Sequence, residues 1–486
     1  MKLTNTLSRE KEEFKPLKIE KVKVYYCWPT PYNYAHIWNL RAYLFSDMVV
    51  RTLRFLGYRI ETAMNVTDID DKTIFESQKQ NISLKDFTKW YFDAFLEDIE
   101  KIWIKRADFI VSISDIIPEM INIINGLLDK GYAYLADDGS IYYSISKFKE
   151  YWRLAHLNMK WMKSSVRINN DEYEKEDVGD FVLWKAYNEN KDWPNRWEWT
   201  FRLDWKEIIL PWRPWWHIEC SACNYKVFWD QIDLHMWGVD NIFPHHQNEL
   251  AQSEAFTWKV FSKYWMHNWH ILVDNQKMSK SKNNFYTLRD IEQKLSWEWS
   301  LDVIHRWFRF MTYKAKYSDS FNFTFEKLKE AMQNIRSFDE MLKRLKSYKP
   351  KTQKTSRKVS DDLQEFIQWY VWYLEDDFNT AEATALVFDF VKYINSWIDS
   401  ESLSSSEIEA IIWMLKAFNE VLNVFDFTIL EDNDDLSAEI LSMLEDRNLA
   451  KALKDYTRAD ELRTAIEWLW YKIIDEKGSS RLEKIK

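Results

Sequence analysis

The sequence predicts an α/β half built on a parallel sheet, interrupted by an inserted module and followed by an α-helical half. Three observations carry that reading: a strand–loop–helix–strand succession near the N-terminus, a polar stretch from about 119 to 206 with turns of its own, and helical periodicity almost throughout after about residue 323.

The elements follow in order. Residues 22–27, VKVYYC, form a β-branched and aromatic run that leads through Pro29 and Pro31 to His36. From there apolar positions recur at helical spacing as far as Gly57. RIETAMNVTDIDD supplies a second strand and an acidic loop, which completes a βαβ unit whose ligands belong at the C-terminal ends of the strands. The stretch 119–206 has a helix, turns at Gly131 and Gly139, and the strand-like IYYSIS, as an inserted module would. Strand-like signals resume near Trp216 with HIECSA and DQIDLHMWGVD. The helical remainder is punctuated by a Ser-rich acidic stretch at 400–408 and by Asn433, Asp434 and Asp435.

A chain of 486 residues predicts two to four domains. With 46% hydrophobic and 30% charged residues it reads as a soluble globular protein. The charged N-terminal stretch has no apolar segment of a secretion signal, and no run of 18 apolar residues occurs, so neither secretion nor a membrane span is expected. Cys27, Cys220 and Cys223 are too few for a disulfide framework and read as thiols in a reducing compartment. A net charge of −10 argues against indiscriminate nucleic-acid binding. The one basic run, Lys343 to Lys358, reads more readily as a solvated linker than as a phosphate track.

Two thiols, Cys27 and Cys220, join His245 and Glu249, four apart and therefore on one side of a helix, as a possible tetrahedral zinc set. Taken alone, each cysteine reads more readily as a small buried hydrophobe. Cys223 makes a CxxC with Cys220 and competes as a ligand, while His246 reads as a capping or packing residue.

Four motifs stand in order: PTPYNYAHIWN at 29–39, RPWWHIECSA at 213–222, FPHHQNELAQSEA at 243–255 and KMSKS at 277–281. Together they resemble the signatures of the cysteinyl-tRNA synthetases, class I aminoacyl-tRNA synthetases. The likeness runs nearly end to end through TDIDDK, DFVLWK, YWMHN and EDDFNT.

The resemblance implies a Rossmann-like class I synthetase catalytic domain in two halves, 1–118 and 207–255, around an inserted connective module at 119–206. A KMSKS-bearing stem-contact region at 256–322, an α-helical bundle at 323–430 and a small C-terminal anticodon-binding domain at 431–486 complete the expected order. It implies one Zn2+ per chain on Cys27, Cys220, His245 and Glu249, and leaves Cys223 out. ATP with Mg2+ is the expected substrate, contacted by His36, Asn39, His235, Asp240 and Lys280, with His36, Asn39, Lys277 and Lys280 acting in catalysis. Thr67 and Trp216 would surround the substrate cysteine. Expected partners are L-cysteine, ATP and tRNA(Cys), for a cytoplasmic monomer with no membrane partner. RNLAKALKDYTRADELR at 447–463 resembles the family's terminal helix. A ligase of thiol-cofactor synthesis shares the catalytic half but lacks the long helical end, and a non-catalytic tRNA-binding homologue is the reading from another class.

One departure is systematic. The chain has 7 Gly and 28 Trp, which together make about 7% of it, the usual share of glycine alone. Trp28, Trp38, Trp212, Trp215, Trp229, Trp237, Trp258, Trp269 and Trp470 all stand where the family has glycine, whereas Trp184, Trp216 and Trp265 match family tryptophans. The expectation is a gene that reads UGA as glycine, translated here with UGA as tryptophan. Trp38 and Trp237 would then crowd the nucleotide loop, where glycine lets a ligand approach the backbone.

Overall fold

The computed structural model describes residues 1–27, 30–156, 179–192, 194–203, 206–229, 231–278, 284–431, 438–453, 455–469, 471–476 and 479–484. A hairpin of β1 (Lys2–Asn5) and β2 (Glu10–Glu13) precedes β3 (Val22–Tyr26), α1 (Ile37–Phe55) and β4 (Ile60–Val66), the expected βαβ unit. Helices α2 (Asp71–Lys79) and α3 (Leu84–Lys101) then lead to β5 (Phe109–Ser112).

After α4 (Ile117–Asp129) come β6 (Ala133–Leu135), β7 (Ile141–Tyr143), β8 (Phe181–Ala186), β9 (Trp197–Leu203) and β10 (Lys206–Pro214), an antiparallel sheet ordered β6-β7-β8-β10-β9. The chain returns to the first sheet through α5 (Trp216–Phe228), β11 (Ile232–Gly238), α6 (Gln247–Thr257) and β12 (Ser262–Asn268). That sheet is ordered β12-β11-β3-β4-β5 and is parallel throughout. Every residue of β11 is buried, as expected for a parallel strand covered on both faces. The chain leaves β3 toward one edge and returns from the insertion to its other side. The β3/β11 boundary is therefore a topological switch point, where α/β sheets bind ligands.

HIECSA, expected as a strand, lies in α5. Every residue from His217 to Asn224 is buried, so this part of the helix has no polar face to reveal a 3.6-residue period. Trp216 and Cys220 consequently lie one turn apart on the same side of a helix.

Two short strands, β13 (Ile271–Val273) and β14 (Gln276–Lys277), precede α7 (Leu288–Leu295) and α8 (Leu301–Tyr313), and β15 (Phe321–Phe323) pairs with β13. The helical half is α9 (Phe325–Ser347), α10 (Arg357–Glu375), α11 (Thr380–Asp399) and α12 (Ser405–Leu422). Within the basic run, Lys343 pairs with Glu340, Arg344 with Asp399 and Lys351 with Glu401, so much of its charge is compensated within the bundle. The C-terminal region is not wholly helical. After α13 (Ala438–Ala452) and α14 (Tyr456–Trp468), a hairpin of β16 (Tyr471–Glu476) and β17 (Ser479–Lys484) shares a small core of Ile440, Leu444, Ile466, Tyr471 and Ile473. Among the described residues no helix is long and apolar enough to cross a membrane.

Asp98 of α3 is fully buried, 3.3 Å from Arg289 and 3.8 Å from Lys101, with Glu97 and Glu292 also near. Burial outweighs the two cations and pushes its carboxyl up to about 6. The folded state therefore holds this proton to higher pH than the unfolded chain. The stability it contributes is present below pH ~4 and lost as pH rises through ~6, by up to roughly 3 kcal/mol. Denaturant unfolding of Asp98→Asn from pH 4 to 7 should show that slope flattened; an unchanged slope would contradict the assignment.

Candidate active site and metal centre

The switch point gathers residues from five elements. Cys27 directly follows β3 and Thr67 directly follows β4, while Trp216 and Cys220 come from α5. Ile242–His246 form an irregular segment, kinked at Phe243 (φ −139°, ψ 132°), before α6, which carries Glu249 in its first turn.

Cys27 Sγ lies 3.6 Å from Cys220 Sγ, 3.6 Å from His245 Nε2 and 3.8 Å from Glu249 Oε1. Cys220 Sγ is 3.4 Å from His245 Nε2, and His245 Nε2 is 2.7 Å from Glu249 Oε1. All four residues are buried. A tetrahedral zinc with sulfur at ~2.3 Å and nitrogen at ~2.0 Å would separate S–S and S–N donor pairs by roughly 3.5–3.8 Å, so the sulfur-centred spacings fit that ion. Burial pushes the Cys27 thiol up strongly and Cys220 to about 11, with neighbouring thiol and carboxylate groups adding to the effect at Cys27. Burial also lowers His245 to about 4, which leaves its imidazole neutral near pH 7, the form that ligates a metal.

A second donor set shares two members with the first: Cys27, His235, His246 and Glu249. His246 Nε2 is 3.5 Å from Cys27 Sγ, and its Nδ1 is 2.8 Å from His267 Nε2, whose Nδ1 meets the Thr6 hydroxyl at 2.8 Å. From the sequence, His246 reads as a capping or packing residue. In the structure both His245 and His246 are buried, with their Nε2 atoms 3.6 and 3.5 Å from Cys27 Sγ.

His235 is a member of that second set. Expected at the adenosine, it is fully buried, with Nε2 2.8 Å from Glu249 Oε2 and its ring stacked on Trp265 at 4.5 Å. Burial lowers its pKa to about 3. It lies in a strand covered on both faces, whereas Asp240, past the end of β11, is exposed. An added Cβ at Gly238 would meet Asp240 Oδ1, so the Asp240 side chain would have to turn away.

The other expected residues are placed as follows. Trp216 stacks on His245 at 3.8 Å with planes 12° apart, and the Thr67 hydroxyl donates to Glu219 Oε2 at 2.7 Å. His36 and Asn39 cap α1 reciprocally: the Asn39 amide donates to His36 Nδ1 at 3.3 Å, and the His36 amide donates to Asn39 Oδ1 at 3.4 Å. An accepting Nδ1 places the proton of the neutral ring on Nε2. Lys277 ends β14 and is exposed. Lys280, Trp28 and Trp470 lie outside the described residues.

Trp38 packs edge-to-face on His270 at 4.6 Å, with its Nε1 3.4 Å from where a Gly238 Cβ would stand. Trp237 is buried against Tyr43 at 5.0 Å. Trp229 and Trp258 have left-handed backbones, φ 73° and 58°, which favour glycine.

Residues 13–333 match the family described as tRNA synthetases class I (C) catalytic domain, and residues 372–426 match the DALR domain. A cysteine–tRNA ligase of Chlamydia muridarum is 39% identical over 491 residues, covering 99% of both chains. That of Protochlamydia amoebophila is also 39% identical, covering all of this chain and 98% of its own. In fold the chain is similar to a putative arginyl tRNA synthetase of Campylobacter jejuni (TM-score 0.53, 13% identity, 85% of this chain and 94% of that one). It is likewise similar to a methionyl-tRNA synthetase of Mycobacterium tuberculosis in complex with methionyl-adenylate (TM-score 0.54, 13% identity, 83% and 90%). On the catalytic match and the full-length identity, the chain belongs to the cysteine–tRNA ligase family of class I tRNA synthetases.

Proposed function

We propose that this protein activates L-cysteine with ATP and transfers it to the 3′-terminal adenosine of tRNA(Cys). The observation that carries the reading is the buried meeting of Cys27, Cys220, His245 and Glu249, with Trp216 stacked on one of them. In the first step the cysteine carboxylate attacks the α-phosphorus of ATP, pyrophosphate leaves, and cysteinyl-adenylate forms. In the second the adenosine 2′-OH attacks the activated carbonyl and AMP leaves.

Zinc, when bound, supplies a soft Lewis acid that takes the substrate thiolate and takes the hydroxyl of serine poorly. Cys27, Cys220, His245 and Glu249 would hold it. Trp216 and Thr67 then border the amino acid. His36, with its proton on Nε2, offers a donor to the triphosphate, and Asn39 keeps that tautomer by donating its amide to Nδ1. Lys277 and Lys280 bring positive charge to the departing pyrophosphate. His235 and Asp240 are assigned to the nucleotide side of the site. A cytoplasmic monomer fits this reading, in which the C-terminal half holds the tRNA.

The nine tryptophans enter here as glycines of the natural protein, the gene reading UGA as glycine. The left-handed backbones of Trp229 and Trp258 support this, because an indole there carries backbone strain that glycine avoids. A second reading, a tRNA-binding homologue without catalysis, is favoured by the Trp38 indole that fills the space between His270 and Gly238. Cysteine-dependent pyrophosphate exchange separates the two. A protein with glycine at all nine sites is expected to exchange at least ~100-fold faster than the chain with tryptophan, the penalty of misplacing reacting groups by about 1 Å. No exchange with tRNA binding retained would favour the second reading, and UGG codons at 38 and 237 would refute the recoding.

A further inference from the structure

The segment that follows the KMSKS motif is tied directly to the His36 loop. The Ile37 amide donates to the Tyr286 carbonyl at 2.9 Å, His36 and Thr287 form an antiparallel bridge, and the His36 ring packs on Phe285 at 4.9 Å. Helix α7 begins at the next residue, so any shift of α7 moves the stretch against which His36 is set.

Arg289, in the first turn of α7, holds that helix from two sides. Its guanidinium lies 4.8 Å from the ring centroid of Tyr34, two residues before His36, and Tyr34 packs edge-on against Tyr91 of α3 at 5.4 Å. Its Nη2 reaches Glu97 Oε2 at 3.1 Å, the Ala94 carbonyl at 3.3 Å and Asp98 Oδ1 at 3.3 Å, all on α3. A planar cation on an aromatic face with carboxylates at its edge fixes orientation as well as distance, which an ammonium cannot do. Beyond Arg289, Glu292 of the same helix pairs with Lys101 of α3 at 3.1 Å, so α7 is attached to α3 at two points one turn apart.

We propose that Arg289 is a positioning residue for adenylate formation, clamping the segment after the KMSKS motif to Tyr34 of the His36 loop and to the end of α3. Its contacts are with Tyr34, Ala94, Glu97 and Asp98, none of them an expected site residue. It acts by setting the register between the two signature segments, and so rests on the reading that the chain activates cysteine with ATP.

The test is steady-state pyrophosphate exchange on the full-length protein with glycine at the nine sites, assayed well below its thermal midpoint. Arg289→Ala is expected to lower kcat about 10–100-fold, with KM for cysteine within about twofold of the parent. Arg289→Lys, which restores charge without the planar stack, should recover part of that loss. Tyr34→Leu, which removes the ring and leaves the ion pairs, should also lower kcat, and Tyr34→Phe should lower it less. Absence of exchange in the parent protein defeats the functional reading. An active parent whose Arg289→Ala and Tyr34→Leu variants keep kcat within twofold overturns the clamp. So does a loss that falls on KM for cysteine, or one that tracks the fraction unfolded.

Discussion

Cys27→Ser is expected to weaken zinc binding by more than about 100-fold, because removing a direct ligand should cost at least as much as the 10–100-fold typical of an outer partner. Cys27 belongs to both donor sets, so no rearrangement of the histidines can replace it. Serine keeps the volume of the side chain and loses the thiolate, which isolates ligation from packing. The measurement is competition against a chromophoric chelator, together with Co2+ titration read at the thiolate charge-transfer bands. A Cys27→Ser protein that retains stoichiometric metal and unchanged bands would rule out ligation at this position. His245→Ala and His246→Ala decide between the two sets: the larger loss of affinity identifies the histidine that binds. Selectivity should follow the metal, since a site built on a specific polar contact rejects the analogue lacking it by roughly 10⁴–10⁵-fold.

Asp47→Ala should destabilise the protein by about 3–5 kcal/mol, the usual cost of leaving a buried charge without its partner. Asp47 of α1 and Arg309 of α8 are both buried and meet at 2.6 Å. Arg309 also donates to the carbonyls of Ile102 at 2.9 Å and Leu422 at 2.8 Å, while Arg51 donates to the same carboxylate at 2.7 Å. Burial alone would raise the Asp47 carboxyl, and the Arg309 and Arg51 guanidiniums more than offset it, holding it below the usual range. This group joins the parallel-sheet half to the helical half, so its loss should lower the urea midpoint of the whole chain. A midpoint unmoved by Asp47→Ala would show that the junction is held by apolar packing alone. Replacing Asp47 and Arg309 together with apolar residues of similar volume should recover much of the loss.

Part of the site is legible in the sequence because its signals are local. Cys27 stands out as a thiol at the end of a strand, before a Pro-rich loop and a helix start, where parallel sheets bind ligands. The α1 start at His36 shows in the change to helical spacing, and its reciprocal cap with Asn39 agrees with that start. Cys220 is found by its chemistry while its element is not: α5 is buried over most of its length, and a helix without a polar face carries no amphipathic period. The contact of His235 with Glu249 is not legible in the sequence, because neither the HMWGVD motif nor its spacing says which group a buried strand residue meets across the sheet. The C-terminal hairpin is hidden amid the helical pattern of the sequence around it.

The sequence by itself determined the βαβ opening, the order of the motifs and the anomalous tryptophans, while the family resemblance singled out a four-donor set. Each of these is local in the chain or a matter of residue type. Only the tertiary structure decided that His246 stands as close to Cys27 as His245 does, that His235 braces Glu249, and that Arg289 ties two signature segments together. These are contacts between residues far apart in the chain. They depend on how the sheet orders its strands and how helices close over its switch point, and periodicity carries no record of either.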